Sequence, residues 1–257
     1  MKITKLQDPT FLVVCQNSEV NLNPDMKIWL QEIGLKMAVD FPSYIPKYVI
    51  RAYTIMPEPA ALLKSVACLV RRNVMRLDKI VSSVERCSVR SKREVLNMCC
   101  KVDTSTLKES HIYKLVTSLP IFPTYPFPGE TVSHVCLRKG LDAAPLDMPH
   151  VSTQLGKSLI DLRESNAREL SAKLGLSPLT TAQFLMKYLL DHERENINTV
   201  ELSSVMDYVM QNIYTLKSED DSFFDFIENL EFVPTKSVLE KPRDLFDPKN
   251  KNLKHFF

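Results

Sequence analysis

Apolar residues recur every three or four positions along almost the whole chain, and most of these runs begin behind a residue able to cap a helix. That pattern restricts the fold to packed amphipathic helices. With Asn23 as N-cap and Pro24 in the first helical position, Trp29, Ile33 and Met37 line one stripe, which ends near "DFPSYIP". In "PEPAALLKSVACLVRRNV" (57–74), Leu62, Val66, Leu69 and Val70 share a face, and Arg71 and Arg72 suit the negative end of the helix dipole. Further helices are expected at 76–87 and 90–101, and one over 105–122 with Leu107, Ile112 and Leu115 inward, stopped by Pro120.

The second half repeats the signal with clearer starts. Thr180 with Gln183, Asn198 with Glu201, and Ser222 with Asp225 have the spacing of capping boxes or close variants. Behind them run Phe184, Leu185, Tyr188 and Leu189, then Leu202, Val205, Met206, Val209 and Ile213, then Phe223, Phe224, Ile227 and Leu230. A final short helix is expected in "NKNLKHFF".

Two stretches break the helical period. In "PIFPTYPFPGETVSHVCLRKG", Val132, His134 and Cys136 alternate with Thr131, Val135 and Leu137, which predicts two short strands across a Pro-Gly turn. In "LEFVPTKSVLEKPRDLFDP" (230–248), Pro234 and Pro242 favour strand margins, so "EFVPT" and "SVLEKP" read as an edge hairpin packed on the preceding helix. The expected fold is therefore α+β and mostly α-helical, amphipathic helices packed with two small β-hairpins. Its expected parts are a helical subdomain at 1–118, a proline-rich hairpin and linker at 119–150, and a helical subdomain closed by a hairpin and short helix at 151–257.

Chemical motifs are sparse. The five glycines stand at least eleven residues apart, so no glycine-rich phosphate loop can be assembled. Gly156-Lys157-Ser158 lacks the glycine five residues earlier, where Val151 stands, and reads as an ordinary helix start. G-x-S-x-G and C-x-x-C are absent, and the five histidines are scattered singly. No catalytic residue, cofactor or metal is expected. The rival enzyme reading is a cysteine-dependent hydrolase or transferase using Cys136, with His134 on the same face of its strand. Six cysteines without a secretory leader predict reduced thiols, and no apolar run reaches the roughly 20 residues of a membrane helix, so a cytoplasmic protein is expected.

Charge is unevenly placed. Residues 64–101 hold ten Lys/Arg against three Asp/Glu, net +7, whereas 191–231 hold eleven Asp/Glu against two Lys/Arg, net −9. Arg71, Arg72, Arg76, Arg90, Lys92 and Arg93 are the candidate interaction surface, facing proteins or adjacent modules of a longer chain. A nucleic-acid-binding role for 64–101 is the other alternative. It is disfavoured because the segment has no aromatic residue to stack a base.

The order "LSAKLGLSPLTTAQFLMKYLL", "VMDYVMQNIYTL", "FFDFIENLEFVPTKSVLEKPRDLFDPKNKNL" resembles the middle and closing part of the repeated module of the sacsin family. The matching positions are Leu174, Gly175, Leu179, Phe184, Tyr188, Phe232, Val233, Pro234, Thr235, Leu239, Pro242, Leu245, Phe246, Asp247 and Pro248. "WLQEIGLKM" (29–37) and "HIYKLVTSLPIF" (111–122) are similar to earlier elements of the module. Lys236-Ser237 replace the glycine usual in the closing turn, and the family's ATPase-like lobe is absent from these residues. The resemblance implies a fragment or short paralogue acting as a non-catalytic, chaperone-like scaffold in cytosolic protein quality control. Implied partners are chaperone clients, the seventy-kilodalton heat-shock chaperone, and the proteasome or intermediate filaments, without nucleic acid or membrane.

Overall fold

The computed structural model describes residues 12–14, 24–33, 35–38, 54–55, 58–126, 131–137, 140–147, 159–190, 199–230, 233–234 and 239–241. The chain is a mostly helical α+β protein. It divides into two units that interleave along the sequence. Unit 1 comprises Met1–Thr124, Ser133–Leu141 and Ile160–Ser177, and unit 2 comprises Tyr125–Val132, Asp142–Leu159 and Pro178–Phe257. No helix among the described residues is long and apolar enough to cross a membrane.

Unit 1 opens with a three-stranded parallel sheet in the order β2-β1-β3, from β1 (Leu12–Val14), β2 (Lys36–Ala38) and β3 (Thr54–Ile55), with Leu12 opposite both Lys36 and Thr54. Helix α1 (Pro24–Glu32) lies between β1 and β2 in the chain. The stripe expected to run on to Met37 stops at Glu32. The Leu35 N–H donates back to the Leu30 carbonyl at 2.9 Å, closing the helix end, and Met37 becomes part of β2. Sequence reading missed this sheet because strands of two or three residues show no period, and parallel partners lie far apart in the chain.

Four helices follow: α2 (Pro59–Arg71), α3 (Leu77–Arg86), α4 (Val89–Cys100) and the single turn α5 (Thr104–Leu107). Then comes α6 (Ser110–Ser118). The one helix expected over 105–122 is thus two. Asp103 accepts from the Thr106 N–H at 2.8 Å and starts α5, while Glu109, at φ −58° and ψ 122°, restarts the chain as α6. Leu107, Ile112 and Leu115 are all buried as expected. Leu119 has ψ 132°, the extended backbone that the next residue, Pro120, imposes.

The first hairpin pairs β4 (Phe122–Pro123) with β5 (His134–Val135), Phe122 opposite Val135, and its Pro-Gly turn lies outside the described residues. Ile160 bridges to Thr124 and the Asp161 N–H donates to the Pro123 carbonyl at 2.8 Å. Ile160 is therefore bridged to the end of β4, while Gly156-Lys157-Ser158, expected as a helix start, lie outside the described residues. Helix α7 (Ser165–Lys173) packs on α4, and α4 also meets α1 and α2. Trp29, Leu30, Leu63, Val66, Leu96 and Phe122 are among the buried residues of unit 1, each no more than 2 % exposed.

Unit 2 contains α8 (Thr181–Phe184), which widens into a π-helical stretch, Leu185–Leu190, then α9 (Thr199–Glu219) and α10 (Phe223–Asn229). Phe184, Leu185, Tyr188, Val205, Val209, Phe223 and Ile227 are buried together. The Thr180–Gln183 box forms in both directions, and the Glu219 carboxylate accepts the Ala182 N–H at 2.9 Å, satisfying another open donor of α8. The Ser222–Asp225 box does not form. Ser222 is itself in the helical region, and the Asp220 carboxylate accepts its N–H at 3.0 Å instead. Asn198 lies outside the described residues. The closing hairpin forms from β6 (Val233–Pro234) and β7 (Leu239–Glu240), Val233 opposite Glu240, with β6 beside α9. The expected terminal helix lies outside the described residues.

Helix α7 ends on Gly175 at φ +85°, where the Leu176 N–H reaches the Ser171 carbonyl at 2.8 Å and the Gly175 N–H reaches Ala172 at 3.1 Å, the paired bonds of a Schellman cap. No atom lies within 4 Å of where a Cβ would stand, so an added methyl meets only backbone strain. Gly175→Ala is expected to cost about 1 kcal/mol and Gly175→Asn less, since Asn tolerates the left-handed region. Urea denaturation midpoints of the three proteins check this order.

Candidate functional site

Helix α6 has an outer face bordered by hollows on both flanks. Toward α2 a cleft of about 390 Å³ is lined by Ala67, Val70, Arg71, Asn73, Leu77, Ser110, His111, Lys114 and Leu115. A second hollow of about 390 Å³ is lined by Ser110, Tyr113, Lys114, Thr117 and Leu137. Both belong to unit 1.

The first cleft exists because α2 stops where it does. Asn73 takes φ 58°, its N–H bonds the Val70 carbonyl and the Val74 N–H bonds Leu69, each at 3.0 Å, so the chain turns away and Leu77 opens α3 beside the gap. An Asn behind a helical run that ends in two arginines is a stop signal legible in the sequence. The cleft itself is not, because α6 reaches it across forty residues of chain. Lys114 and Ser110 form the wall common to both hollows, and Tyr113 is 42 % exposed at its lip. Glu109 lies 3.4 Å from Lys64 and 3.6 Å from His111.

Of the six cations singled out by charge, Arg71 lines this cleft. Arg72 is exposed at the C-cap of α2. Arg76 is exposed and bidentate on Asp78, at 3.1 Å and 2.5 Å. Arg90 lies 3.0 Å from Asp25 and Arg93 3.5 Å from Glu164. Lys92 and Arg93 are close enough to His134 to repel its proton.

The family-motif residues fall in both units. Leu174 and Gly175 terminate α7, and Leu179 is partly buried against the unit 2 core, its N–H on the Ala143 carbonyl at 3.0 Å. The Phe184 and Tyr188 rings stack with centroids 5.9 Å apart. The Tyr188 hydroxyl and the Lys187 ammonium both donate to Asp142 Oδ2. Burial raises the Tyr188 phenol, as does the bonded carboxylate, while for Asp142 the two donors outweigh its own burial and hold it below the ordinary carboxylate range. Val233, Pro234 and Leu239 build the closing hairpin, and Phe232, Thr235, Pro242, Leu245, Phe246, Asp247 and Pro248 lie outside the described residues.

Two thiols are held protonated by their surroundings. Cys99 is buried and pushed up to about 12, and Cys87 is pushed up to about 11 by burial and by the Glu32 carboxylate that accepts its S–H. Cys136 and His134 are partly buried. Burial first, then Lys92 and Arg93, lower the His134 imidazole to about 4, which leaves a base too weak to draw a proton from a thiol at neutral pH. Among the described residues no three His, Cys, Asp or Glu side chains gather as a metal site.

The fold and surface define a helical module with cation-lined, apolar-floored clefts. Human Sacsin is 22% identical over 265 aligned residues that take in the whole of this chain and 6% of Sacsin. The chain thus spans about 6% of the length of the curated relative it matches. No family model and no solved structure matches it.

Two measurements follow from these groups. Between pH 6.5 and about 4 the unfolded chain binds the His134 proton and the folded chain does not, so stability from this group is full above pH 6.5 and lost as pH falls to 4. Because the ring is half-exposed, the loss is on the order of 1–2 kcal/mol, and His134→Gln should flatten that limb of a stability-versus-pH curve. In iodoacetamide labelling at neutral pH, Cys99 and Cys87 should react far more slowly in the folded chain than after denaturation.

Proposed function

We propose that this chain is a non-catalytic interaction module of the sacsin type, a chaperone-like scaffold working in cytosolic protein quality control. The observation that carries the reading is the alignment with human Sacsin, which takes in the entire chain. The α6 surface supports it with apolar hollows beside cationic side chains, the composition of a protein-binding patch. The raised thiols of Cys87 and Cys99 and the depressed imidazole of His134 fit a module that binds without reacting. Clients and the seventy-kilodalton heat-shock chaperone are the proposed partners, with adjoining modules of a longer chain beside them.

A holdase assay tests this. Added at near-stoichiometric ratio without ATP, the chain should slow the light scattering of heat-aggregating citrate synthase, and it should bind the purified seventy-kilodalton chaperone on a biosensor surface. No suppression together with no binding would remove the proposal. Rapid alkylation of Cys136 at neutral pH with accompanying esterase activity would replace it by the cysteine-enzyme reading.

A further inference from the structure

We propose that the two hollows flanking α6 are one docking surface, and that its occupant is an acidic segment of a partner protein carrying large apolar side chains. This rests on the interaction-module reading and names the chemistry of the partner.

The geometry comes first. The hollows share the Ser110 and Lys114 wall, so a chain crossing the α6 ridge can place one side chain on each flank. The α2 side has an apolar floor of Ala67, Val70, Leu77 and Leu115, and the far side offers Leu137 and the exposed Tyr113 ring. Volumes of about 390 Å³ fall within the range of sites that bury a ligand group, and so suit large apolar anchors.

Charge then selects the occupant. Arg71 and Lys114 line the α2 side with His111, and the lining of neither hollow contains a carboxylate. Glu109 is the acid at their margin, and it is already shared by Lys64 and His111. A cationic ligand would meet repulsion from Arg71 and Lys114, and a neutral apolar one would leave both cations without a complement. An acidic segment with Leu, Phe or Met anchors satisfies floor and rim together.

Panning a phage-displayed dodecapeptide library on the intact chain tests the assignment. Enriched sequences should combine Asp or Glu with Leu, Phe or Met. A synthetic copy of the leading peptide, titrated by calorimetry, should lose about tenfold in affinity with Lys114→Glu or Arg71→Glu. It should keep its affinity with Lys114→Arg and with Arg90→Glu, which lies outside the hollows. Tyr113→Ala should weaken it with no change in far-UV circular dichroism. Absence of enrichment, or enrichment without acidic preference, overturns the proposal. Acidic peptides indifferent to both charge reversals also overturn it, yet leave the interaction-module reading standing on another surface. Displacement of the peptide by a random DNA oligomer that itself needs Lys114 would assign the surface to nucleic acid instead.

Discussion

Helix α4 is the element on which unit 1 depends, and its dependence on α7 is the structural constraint that matters most. The Lys173 ammonium donates to the Cys100 and Val102 carbonyls, the latter at 3.3 Å, at the end where α4 leaves carbonyls without intrahelical donors. The same ammonium meets Glu169 at 2.7 Å, and Asn166 donates to Asn97 Oδ1 at 2.7 Å farther along. These polar bonds accompany the packing of the two helices, in which Val95, Leu96 and Cys99 on α4 and Ala167 and Leu170 on α7 are all buried. Because α1 and α2 also pack on α4, a segment from 165–173 closes a core begun more than one hundred residues earlier.

That arrangement explains what the sequence disclosed and what it did not. Helices with an apolar stripe and a local stop or start were legible: α2 with Leu62, Val66 and Leu69, and α8 behind Thr180, as were α4 near the expected 90–101 and both hairpins at their prolines. Each of those signals is written within a few residues. The parallel sheet was not legible, because Leu12, Lys36 and Thr54 pair across the chain and their strands are too short to alternate. The division of 105–122 into α5 and α6 was hidden because Leu107, Ile112 and Leu115 keep helical spacing across the break at Glu109. Ser222 shows the limit of cap reading: the box spacing is present, but Asp220 reaches the same donor first.

The candidate surface was read in part. Charge counting found Arg71, and missed Lys114, His111 and Tyr113, which lie on a helix of unremarkable net charge. A cleft is a property of two elements, and its lining becomes visible only when α2 and α6 are set side by side. Arg76, Arg90 and Arg93 are each paired with a carboxylate, Asp78, Asp25 and Glu164. A carboxylate that compensates a cation can come from anywhere in the fold, so a basic run in sequence is a poor map of potential on a surface.

The π-helical stretch at Leu185–Leu190 has a bearing on how this sequence can drift. Such a stretch amounts to one extra residue accommodated in an α-helix. Removing a single residue inside it would let the tighter winding return, because the wider turn is what takes up the extra residue. Lys187 and Tyr188 both bond Asp142 from within this wider turn, so a change of length here alters the spacing on which that shared carboxylate depends.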